Sequence, residues 1–430
     1  MKQKYAYSIF ILVALLAGIC LGQIEVVHNT GVGARAYGLG NNFVALSNDQ
    51  SGMYYNPAGI AFVPAREFQF SLDVLSQRAN SDYNAGLSDQ TATSVVQRVR
   101  LANAGYLHAF PTSQGGFTMA AAFQSPITFD DVRKFSGDYQ TPALKTVNVS
   151  RDETGYGALN FWTGSFGLQV SEGLGIGASV SFVSGGEDGR NIFYRDTAGH
   201  LGDSIYDDYD RTVSRSYAGY DIRLGLLYNF VKHFNFGVRV VLPQTIWFTE
   251  DMTEVNPHSP SWGEYTYPTA KGRLFSSYSG AAGISGTFPF LTFSTEFRAR
   301  APYSFAYPTE VIPSTSLASK TVYGAGIGLE VPLFVSTTLL RAGYSWDQFD
   351  THMFASQYDD HTISPTPNWD PQGEVPKGDQ HLITVGMAFI MKSACLEISY
   401  GYNFWGLETN NVLTEDHAQH RFLASLAFRF

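Results

Sequence analysis

The 430-residue chain is poor in charge and in cysteine. Charged residues make up 15% of it, against about 25% in an ordinary soluble domain. Apart from one run at the N-terminus, no apolar stretch approaches the roughly 20 residues of a membrane-spanning helix, which excludes a polytopic helical membrane protein. The only cysteines are Cys20 and Cys395. The net charge of -10 argues against nucleic acid as a partner.

Aromatic residues and glycine are abundant instead. Aromatics make up 15% of the chain, and there are 42 glycines. This apolar and aromatic content excludes a disordered chain. The composition therefore predicts a large β-protein rich in glycine and aromatic residues.

The N-terminus has the layout of a secretory signal peptide. Lys2 and Lys4 precede an apolar run over residues 8–21, and small residues at 20 and 22 occupy the third and first positions before a cleavage point at Gln23. We predict cleavage after residue 22, which leaves Cys395 without an intrachain disulfide partner.

From about Arg66 onward, the sequence alternates with a period of two, as strands do. Phe68, Phe70 and Leu72, for example, alternate with polar residues. Six tight links are predicted, at 111–116, 172–173, 232–235, 288–290, 332–334 and near 393. They alternate with seven long polar loops, at 79–97, 130–157, 184–213, 250–269, 305–318, 350–377 and 408–417.

This alternation of short and long connections predicts fourteen antiparallel strands, with every long loop at one end. Short turns at one end and long loops at the other are typical of transmembrane β-barrels. The chain also ends on Phe430 after alternating apolar residues, which resembles the C-terminal signature of bacterial outer-membrane barrels. We therefore expect an all-β, fourteen-stranded antiparallel transmembrane barrel over residues 66–430. Its expected location is the bacterial outer membrane, in contact with lipid and lipopolysaccharide.

Residues 23–65 do not alternate and contain two glycine-rich motifs. The first runs from Gly31 to Gly40, and the second is Asn56-Pro57-Ala58-Gly59. Glycine permits special backbone angles, and Asn-Pro marks a turn. The segment is predicted to form a compact hatch, or plug, ahead of the barrel.

The G-x-G-x-R-A-x-x-G pattern and the Asn-Pro-Ala tripeptide resemble the N-terminal hatch of FadL/TodX-type outer-membrane channels. That resemblance implies a barrel plugged by its hatch, which passes long-chain fatty acids or aromatic hydrocarbons and releases them sideways into the membrane. The sequence around Phe43 and Tyr54 is equally similar to that of the PorV-like branch, whose members bind secreted proteins in type IX export. The residues assigned to the hatch and its gating are Gly33, Arg35, Gly38, Asn56, Pro57 and Ala58.

The alternation also projects charged side chains into the lumen. They are Arg223, Arg239, Arg298, Arg300, Arg341, Arg421 and Arg429, with Asp221, Glu296, Asp347 and Glu397. The arginines have two interpretations, which are attraction of an anionic head group and a salt-bridge network that holds the hatch. Arg35 is expected to pair with a lumen carboxylate, since an enclosed charge needs a partner. The substrate pocket is assigned to Phe43, Tyr54, Tyr55, Arg298 and Arg300.

Aromatic residues near the long loops have two interpretations, a substrate-capture surface and a membrane-interface girdle. They are Trp247, Phe248, Trp262, Tyr265 and Tyr267. Pro126 and Pro243 are the positions that hint at a kink for lateral exit.

Other chemistries find little support in the sequence. The G-x-G fragment at Gly31 also fits a dinucleotide-binding fingerprint, but Gly38 and Gly40 should break the helix that such a site needs, and no βαβ unit follows. There is no G-x-S-x-G, so no enzyme is expected. Asp203, Asp207, Asp208 and Asp210 lack the regular order of a Ca²⁺ loop. His417 and His420 should face opposite sides of one strand. We predict neither a metal site nor a cofactor.

Overall fold

The computed structural model describes residues 28–84, 89–112, 115–140, 146–197, 209–255, 263–276, 278–301, 303–306, 321–333, 337–348, 374–376, 378–409 and 413–430. The predicted signal peptide, Trp262 and three residues of the acidic loop (Asp203, Asp207 and Asp208) lie outside these residues.

The N-terminal part forms short elements. They are β1 (His28–Asn29), α1 (Ala34–Gly38), α2 (Gly52–Tyr55) and a 3₁₀ helix (Pro57–Phe62). The strands that follow are β2 (Glu67–Asn84), β3 (Asp89–Phe110), β4 (Phe117–Thr128), β5 (Asp131–Gln140), β6 (Thr146–Ser171), β7 (Leu174–Thr197), β8 (Tyr209–Val231), β9 (Phe234–Val241), β10 (Gln244–Val255), β11 (Glu264–Thr266), β12 (Ala270–Ser276), β13 (Ser279–Phe288), β14 (Leu291–Arg300), β15 (Tyr303–Ala306), β16 (Val322–Pro332), β17 (Thr338–Asp347), β18 (Glu374–Pro376), β19 (Gln380–Ile390), β20 (Ala394–Thr409) and β21 (Leu413–Arg429).

These strands close into one antiparallel barrel. β2 pairs with β3 on one side and with the last strand, β21, on the other, from Glu67–Arg429 to Tyr83–Leu413. Five wall positions are shared by shorter strands, namely β4 with β5, β9 with β10, β11 with β12 and β13, β14 with β15, and β18 with β19. The wall therefore has the fourteen antiparallel strands that the sequence predicted.

The hydrophobic pattern of the wall is inverted relative to a soluble protein. On β2, Gln69, Ser71 and Asp73 are buried and face the interior, whereas Phe68 and Leu72 are 42% and 43% exposed on the outer face. β21 repeats this pattern, with Arg421 buried and Phe422 exposed. A polar interior behind an apolar outer band is the arrangement of a transmembrane barrel.

The short turns lie where the sequence predicted them, but the predicted bounds of the long loops are wrong. β5 and β6 together cover most of the predicted loop 130–157. β6 alone runs for 26 residues, or about 85 Å at roughly 3.3 Å per residue. β2 and β3 likewise extend through most of 79–97. The strands thus continue beyond the apolar band, where polar side chains such as Asp152 and Asn148 no longer give an apolar face to recognise.

Exposed and half-buried aromatic side chains gather near the short turns. Phe110 and Phe117 stack beside one turn with ring centroids 5.2 Å apart, and Phe234 and Phe288 meet edge to face at 5.6 Å beside another. Such rows are typical of the aromatic girdle at a membrane interface. None of the helices in the described part of the chain is long and apolar enough to cross a membrane.

Candidate functional site

Residues 30–63, which we call the plug segment, fill the barrel interior near its short-turn end. Almost all of this segment is buried. α1 lies against β19 and β20, and the 3₁₀ helix lies against β6, β7 and β8. The segment therefore contacts strands on widely separated parts of the wall.

Glycines on the inner face of the wall make this close packing feasible. A Cβ at Gly225 of β8 would lie 2.1 Å from Asn56 Oδ1, and one at Gly343 of β17 would lie 2.2 Å from the Gly40 nitrogen. Further glycines contact the plug segment in the same way; they are Gly105, Gly167, Gly175, Gly177, Gly237, Gly326, Gly328 and Gly401. The high glycine count of the sequence thus has a packing role that the sequence interpretation missed.

Small hydroxyl side chains of the wall take the place of water for the plug backbone. The Ser425 hydroxyl accepts from the Ala34 amide at 2.8 Å, and the Ser399 hydroxyl donates to the Ala34 carbonyl at 2.6 Å. Ser179 and Ser285 donate to the carbonyls of Met53 and Ala45 at 2.8 and 2.9 Å. Because buried backbone groups need partners, these bonds fix the plug segment to the wall.

The two glycines of the G-x-G motif shape the entry of the plug segment. Gly31 and Gly33 have φ angles of 68° and 81°, in the left-handed region where other residues are strained. Gly33 directly precedes α1. Gly38 is required by close packing and not by its backbone angle, since a Cβ there would lie 2.6 Å from the Ser399 hydroxyl.

Asn56 joins the second motif to the wall. Its Oδ1 accepts from the Ala58 amide at 3.1 Å and caps the 3₁₀ helix that begins at Pro57. Its Nδ2 donates to the carbonyls of Val44 at 2.7 Å and Leu226 at 3.0 Å. One fully buried amide thus links two parts of the plug segment to β8.

Arg35 forms the charged link between the plug segment and the wall. Its Nε lies 3.4 Å from Glu330 of β16, and its guanidinium lies 3.7 Å from Asp49 of the plug. Glu330 also pairs with Arg341, which in turn pairs with Glu397 at 2.9 Å. Burial opposes the charge on Arg35, but the carboxylates of Glu330 and Asp49 outweigh it and raise the pKa of Arg35.

The aromatic residues assigned to the substrate pocket lie in two different environments. Phe43 and Tyr55 pack within the plug segment itself, with ring centroids 5.6 Å apart. The Tyr55 hydroxyl donates to Asn41 at 2.7 Å. Tyr54 instead meets the wall, since its ring lies edge to face with Phe161 of β6 at 6.5 Å. Arg223 covers the Tyr54 ring at 3.8 Å.

Arg298 and Arg300 lie farther along the wall, in a small cleft that Arg239 and Asp347 also line. Arg298 pairs with Asp347 at 3.1 Å and with Glu296 at 3.6 Å. Arg239 is buried and donates to the Tyr54 carbonyl at 3.5 Å, while its Nε has no hydrogen-bond partner in the described part of the structure. Glu296 accepts from the amides of Phe43 and Val44, both at 2.9 Å, so the cleft borders the plug segment.

A lumen cluster of apolar side chains is the main feature that the sequence interpretation missed. It consists of Ile127, Phe129, Leu159, Phe161, Val183, Tyr217, Ile246, Phe248 and Leu274, and we call it the apolar lumen cluster. Phe129 stacks on Tyr217 at 5.2 Å, and Phe161 contacts Tyr54 of the plug. A polar lumen is the norm for membrane barrels, so an apolar surface inside this one calls for an explanation.

The wall is interrupted beside this cluster. β3 pairs with β2 from Leu107–Glu67 to Asp89–Asn84, but it pairs with β4 only from Phe110–Phe117 to Asn103–Gln124. β5 pairs with β6 and bends inward, where Phe135 stacks on Tyr83 of β2 at 5.7 Å. In the described part of the chain no backbone pairing joins β3 to β5, and we call this interruption the wall gap.

The N-terminal end of the described chain lies at the wall gap. His28 and Asn29 of β1 pair with Thr128 and Ile127 of β4, and the Thr30 amide donates to the Pro126 carbonyl at 2.8 Å. Pro126 lies within a register shift between β4 and β6, and Pro243 lies at the break between β9 and β10. Both prolines therefore coincide with irregularities of the wall.

The long-loop aromatics divide between the two interpretations. Trp247 faces outward and is 52% exposed, while Phe248 is buried in the apolar lumen cluster. Tyr265 is exposed and meets Tyr267 edge to face at 4.7 Å.

Potential metal ligands are dispersed in the described residues, which contain no group of three or more His, Cys, Asp or Glu side chains that could hold a metal ion. His417 is buried and stacks on Trp405 at 5.2 Å, while His420 contacts Tyr400 on the outer face. The two histidines therefore face opposite sides, as predicted. Asp210 pairs with Arg190 at 2.5 Å.

Fold and site define a fourteen-stranded transmembrane barrel with its N-terminal segment inside the lumen. No family model and no curated protein matches the sequence. Among solved structures, the chain is similar to the toluene transporter TodX from Pseudomonas putida, with a TM-score of 0.56 and 13% identity over 94% of this chain and 100% of that one. The toluene transporter TbuX from Ralstonia pickettii gives a TM-score of 0.58 and 14% identity over 94% and 99%. A deltaS2 mutant of the TodX monoaromatic hydrocarbon channel gives 0.60 and 15% over 94% and 100%.

The chain thus has the fold of these channels, and the resemblance drawn from the hatch motif is confirmed at the level of fold. The roles assigned to individual residues of the hatch and the pocket stay predictions.

Proposed function

We propose that this protein is a channel of the bacterial outer membrane for hydrophobic small molecules, with the plug segment as its hatch. The observation that carries the proposal is the apolar lumen cluster, which extends from Tyr54 of the plug to Phe129 at the wall gap. Such a surface favours apolar ligands, because their binding buries apolar area, whereas a pore for water and polar solutes gains nothing from it. The short turns then face the periplasm, and the long loops face outward.

The wall gap gives such a substrate a sideways exit. The plug segment occupies the lumen at the short-turn end and is held there by many hydrogen bonds, so a straight path is closed. The gap lies beside Phe129, and an apolar molecule leaving there enters the hydrocarbon layer without crossing water. Arg35 and Asn56 hold the hatch in its closed position in this proposal.

The finer substrate assignment concerns the cleft of Arg239, Arg298 and Arg300. Arg239 is a buried guanidinium whose Nε has no partner among the described residues, and such a group suits a carboxylate, which accepts charge-assisted hydrogen bonds. We infer that the cleft binds the carboxylate of a long-chain fatty acid while its chain lies along the apolar surface. The competing interpretation is a purely structural network, to which Arg298, paired with Asp347, is well suited.

The first experiment is extraction and mass spectrometry of lipophilic ligands and co-purifying proteins from the protein isolated out of native outer membranes. A retained fatty acid or hydrocarbon that is absent from a control barrel in the same detergent supports the channel. Stoichiometric secreted proteins without a ligand would instead support the PorV-like alternative.

A second experiment tests the carboxylate assignment. Binding of a long-chain fatty acid is compared with binding of the fatty alcohol of equal length, in wild type and in Arg239→Met. The substitution should weaken fatty-acid binding and leave alcohol binding unchanged. Arg190→Met, which removes an exposed ion pair far from the cleft, is the matched control. Equal loss for both ligands would assign Arg239 a structural role only.

A further inference from the structure

The wall gap needs side chains to close it, because no described backbone pairing does so. Asp130 lies at the break between β4 and β5, and its side chain is buried. It contacts Arg100 of β3 through a charge-assisted hydrogen bond and lies 4.0 Å from Arg98. These ion pairs are thus direct connections between the two edges of the gap.

Arg98 spans the gap from inside to outside. Its guanidinium lies over the ring of Tyr156 at 5.1 Å. Tyr156 belongs to β6, on the far side of the gap, and is 46% exposed on the outer face. One side chain of β3 therefore bridges both the inner carboxylate and an outer aromatic ring.

Further contacts connect Arg100 to the plug segment. Arg100 lies 3.8 Å from Asp73 of β2, and Asp73 pairs with Arg421 of β21 at 2.7 Å. The guanidinium of Arg421 lies over the ring of Tyr37, in α1, at 4.7 Å. Asp73 and Arg421 are 1% and 0% exposed.

Buried charges cannot be left without partners at low cost. If the gap opens and Asp130 withdraws, Arg100 keeps Asp73 as its remaining carboxylate. Asp73 then has to be shared differently between Arg100 and Arg421, and the contact of Arg421 with Tyr37 changes with it. The arrangement is thus suited to transmit a change at the gap to the plug.

We propose that Asp130, Arg98 and Arg100 form an ion-pair latch across the wall gap, which Asp73 and Arg421 couple to the plug segment at Tyr37. The inference rests on the proposed lateral exit and names the residues that control it. Opening of the latch loosens α1, so that the gap and the hatch respond together.

The latch is tested by measuring the width of the gap directly. Spin labels at Val99→Cys and Thr154→Cys, both on the exposed outer face, report the distance between β3 and β6 in a Cys395→Ala background. Asp130→Asn should shift the distance distribution to longer values, and Arg100→Met should do the same. Asp130→Glu, which keeps the charge, should retain the wild-type distribution. Heat-modifiable migration on gels verifies that each variant contains a folded barrel.

Asp210→Asn is the matched control, since it removes one exposed ion pair remote from the gap. Distributions for Asp130→Asn and Arg100→Met that coincide with that control would overturn the latch.

The coupling is tested by hydrogen exchange of residues 34–40. Asp130→Asn should accelerate exchange there at least about tenfold, equivalent to about 1.4 kcal/mol. In an Arg421→Met background, Asp130→Asn should add no further acceleration, because the contact of Arg421 with Asp73 and Tyr37 is already lost. A wider gap with unchanged exchange would refute the coupling. A gap and plug that respond as predicted in a protein that takes up no hydrophobic compound would leave the latch standing and refute the channel function alone.

Discussion

Replacing Asn56 by alanine should release the plug segment while leaving the barrel intact. The substitution removes three hydrogen bonds, with Ala58, Val44 and Leu226. A buried polar group left without a partner costs about 1–3 kcal/mol, and a lost helix cap costs about 1 kcal/mol. We therefore expect the plug segment to lose about 3 kcal/mol of local stability, or roughly a hundredfold in its opening equilibrium.

Hydrogen exchange with mass spectrometry measures this directly, because the amides of residues 43–63 report opening of the plug and those of the wall strands report the barrel. Exchange in the plug should rise by the expected factor, and exchange in β6 to β8 should stay slow. Asn148→Ala, which removes an exposed hydrogen bond to Asp138, should change neither. Unchanged plug exchange in Asn56→Ala would refute the inference that this amide holds the hatch.

Three further outcomes follow from the same contacts. Gly225→Ala should displace the plug segment and accelerate hydrogen exchange of its amides. Gly164→Ala, whose Cβ meets nothing within 4 Å, should leave that exchange unchanged. Equal exchange in the two variants would contradict the packing role of the wall glycines. Arg35→Met should raise the frequency of open events in planar-bilayer conductance recordings, and a silent, wild-type-like trace would count against its role in holding the hatch. Phe161→Ala should weaken binding of hydrophobic ligands in a fluorescence titration at least about tenfold, or about 1.4 kcal/mol. The outward-facing Trp247→Ala should leave the affinity unchanged. Equal affinities for the two variants would show that the apolar lumen cluster does not bind the ligand.

The barrel could be predicted from the sequence because its causes are local. Alternation along a strand, as at Phe68 and Leu72, needs only the period of the extended chain. Turn positions such as Glu172–Gly173 carry local signals as well. Where the outer face becomes polar, the alternation no longer distinguishes a strand from a loop, so the strand extensions beyond the apolar band cannot be predicted this way.

The candidate site could be predicted only in part, because its contacts join residues remote in the chain. Arg35 could be expected to find a carboxylate, but the choice of Glu330, 295 positions away, depends on which strand faces α1. The assignment of Phe43 and Tyr55 to the substrate pocket rests on their position in the hatch and the apolar surface that they offer there, whereas the structure packs both inside the plug. The apolar lumen cluster could not be predicted because eight of its nine members come from six strands, one or two from each, and the ninth, Phe129, follows β4.

The wall gap also gives the N-terminal residues a physical reason for their position. An unpaired strand edge is costly in lipid, since no water can satisfy its backbone groups. β4 loses β3 as a partner beyond Gln124, and β1 supplies backbone pairing at Ile127 and Thr128 instead. Because β1 leads directly into the plug segment, a displacement of the hatch that pulls on residue 30 also removes the partner from β4. Hatch and wall are therefore joined by a backbone connection at Thr30 in addition to the side-chain latch at Asp130, and neither can move far without changing the other.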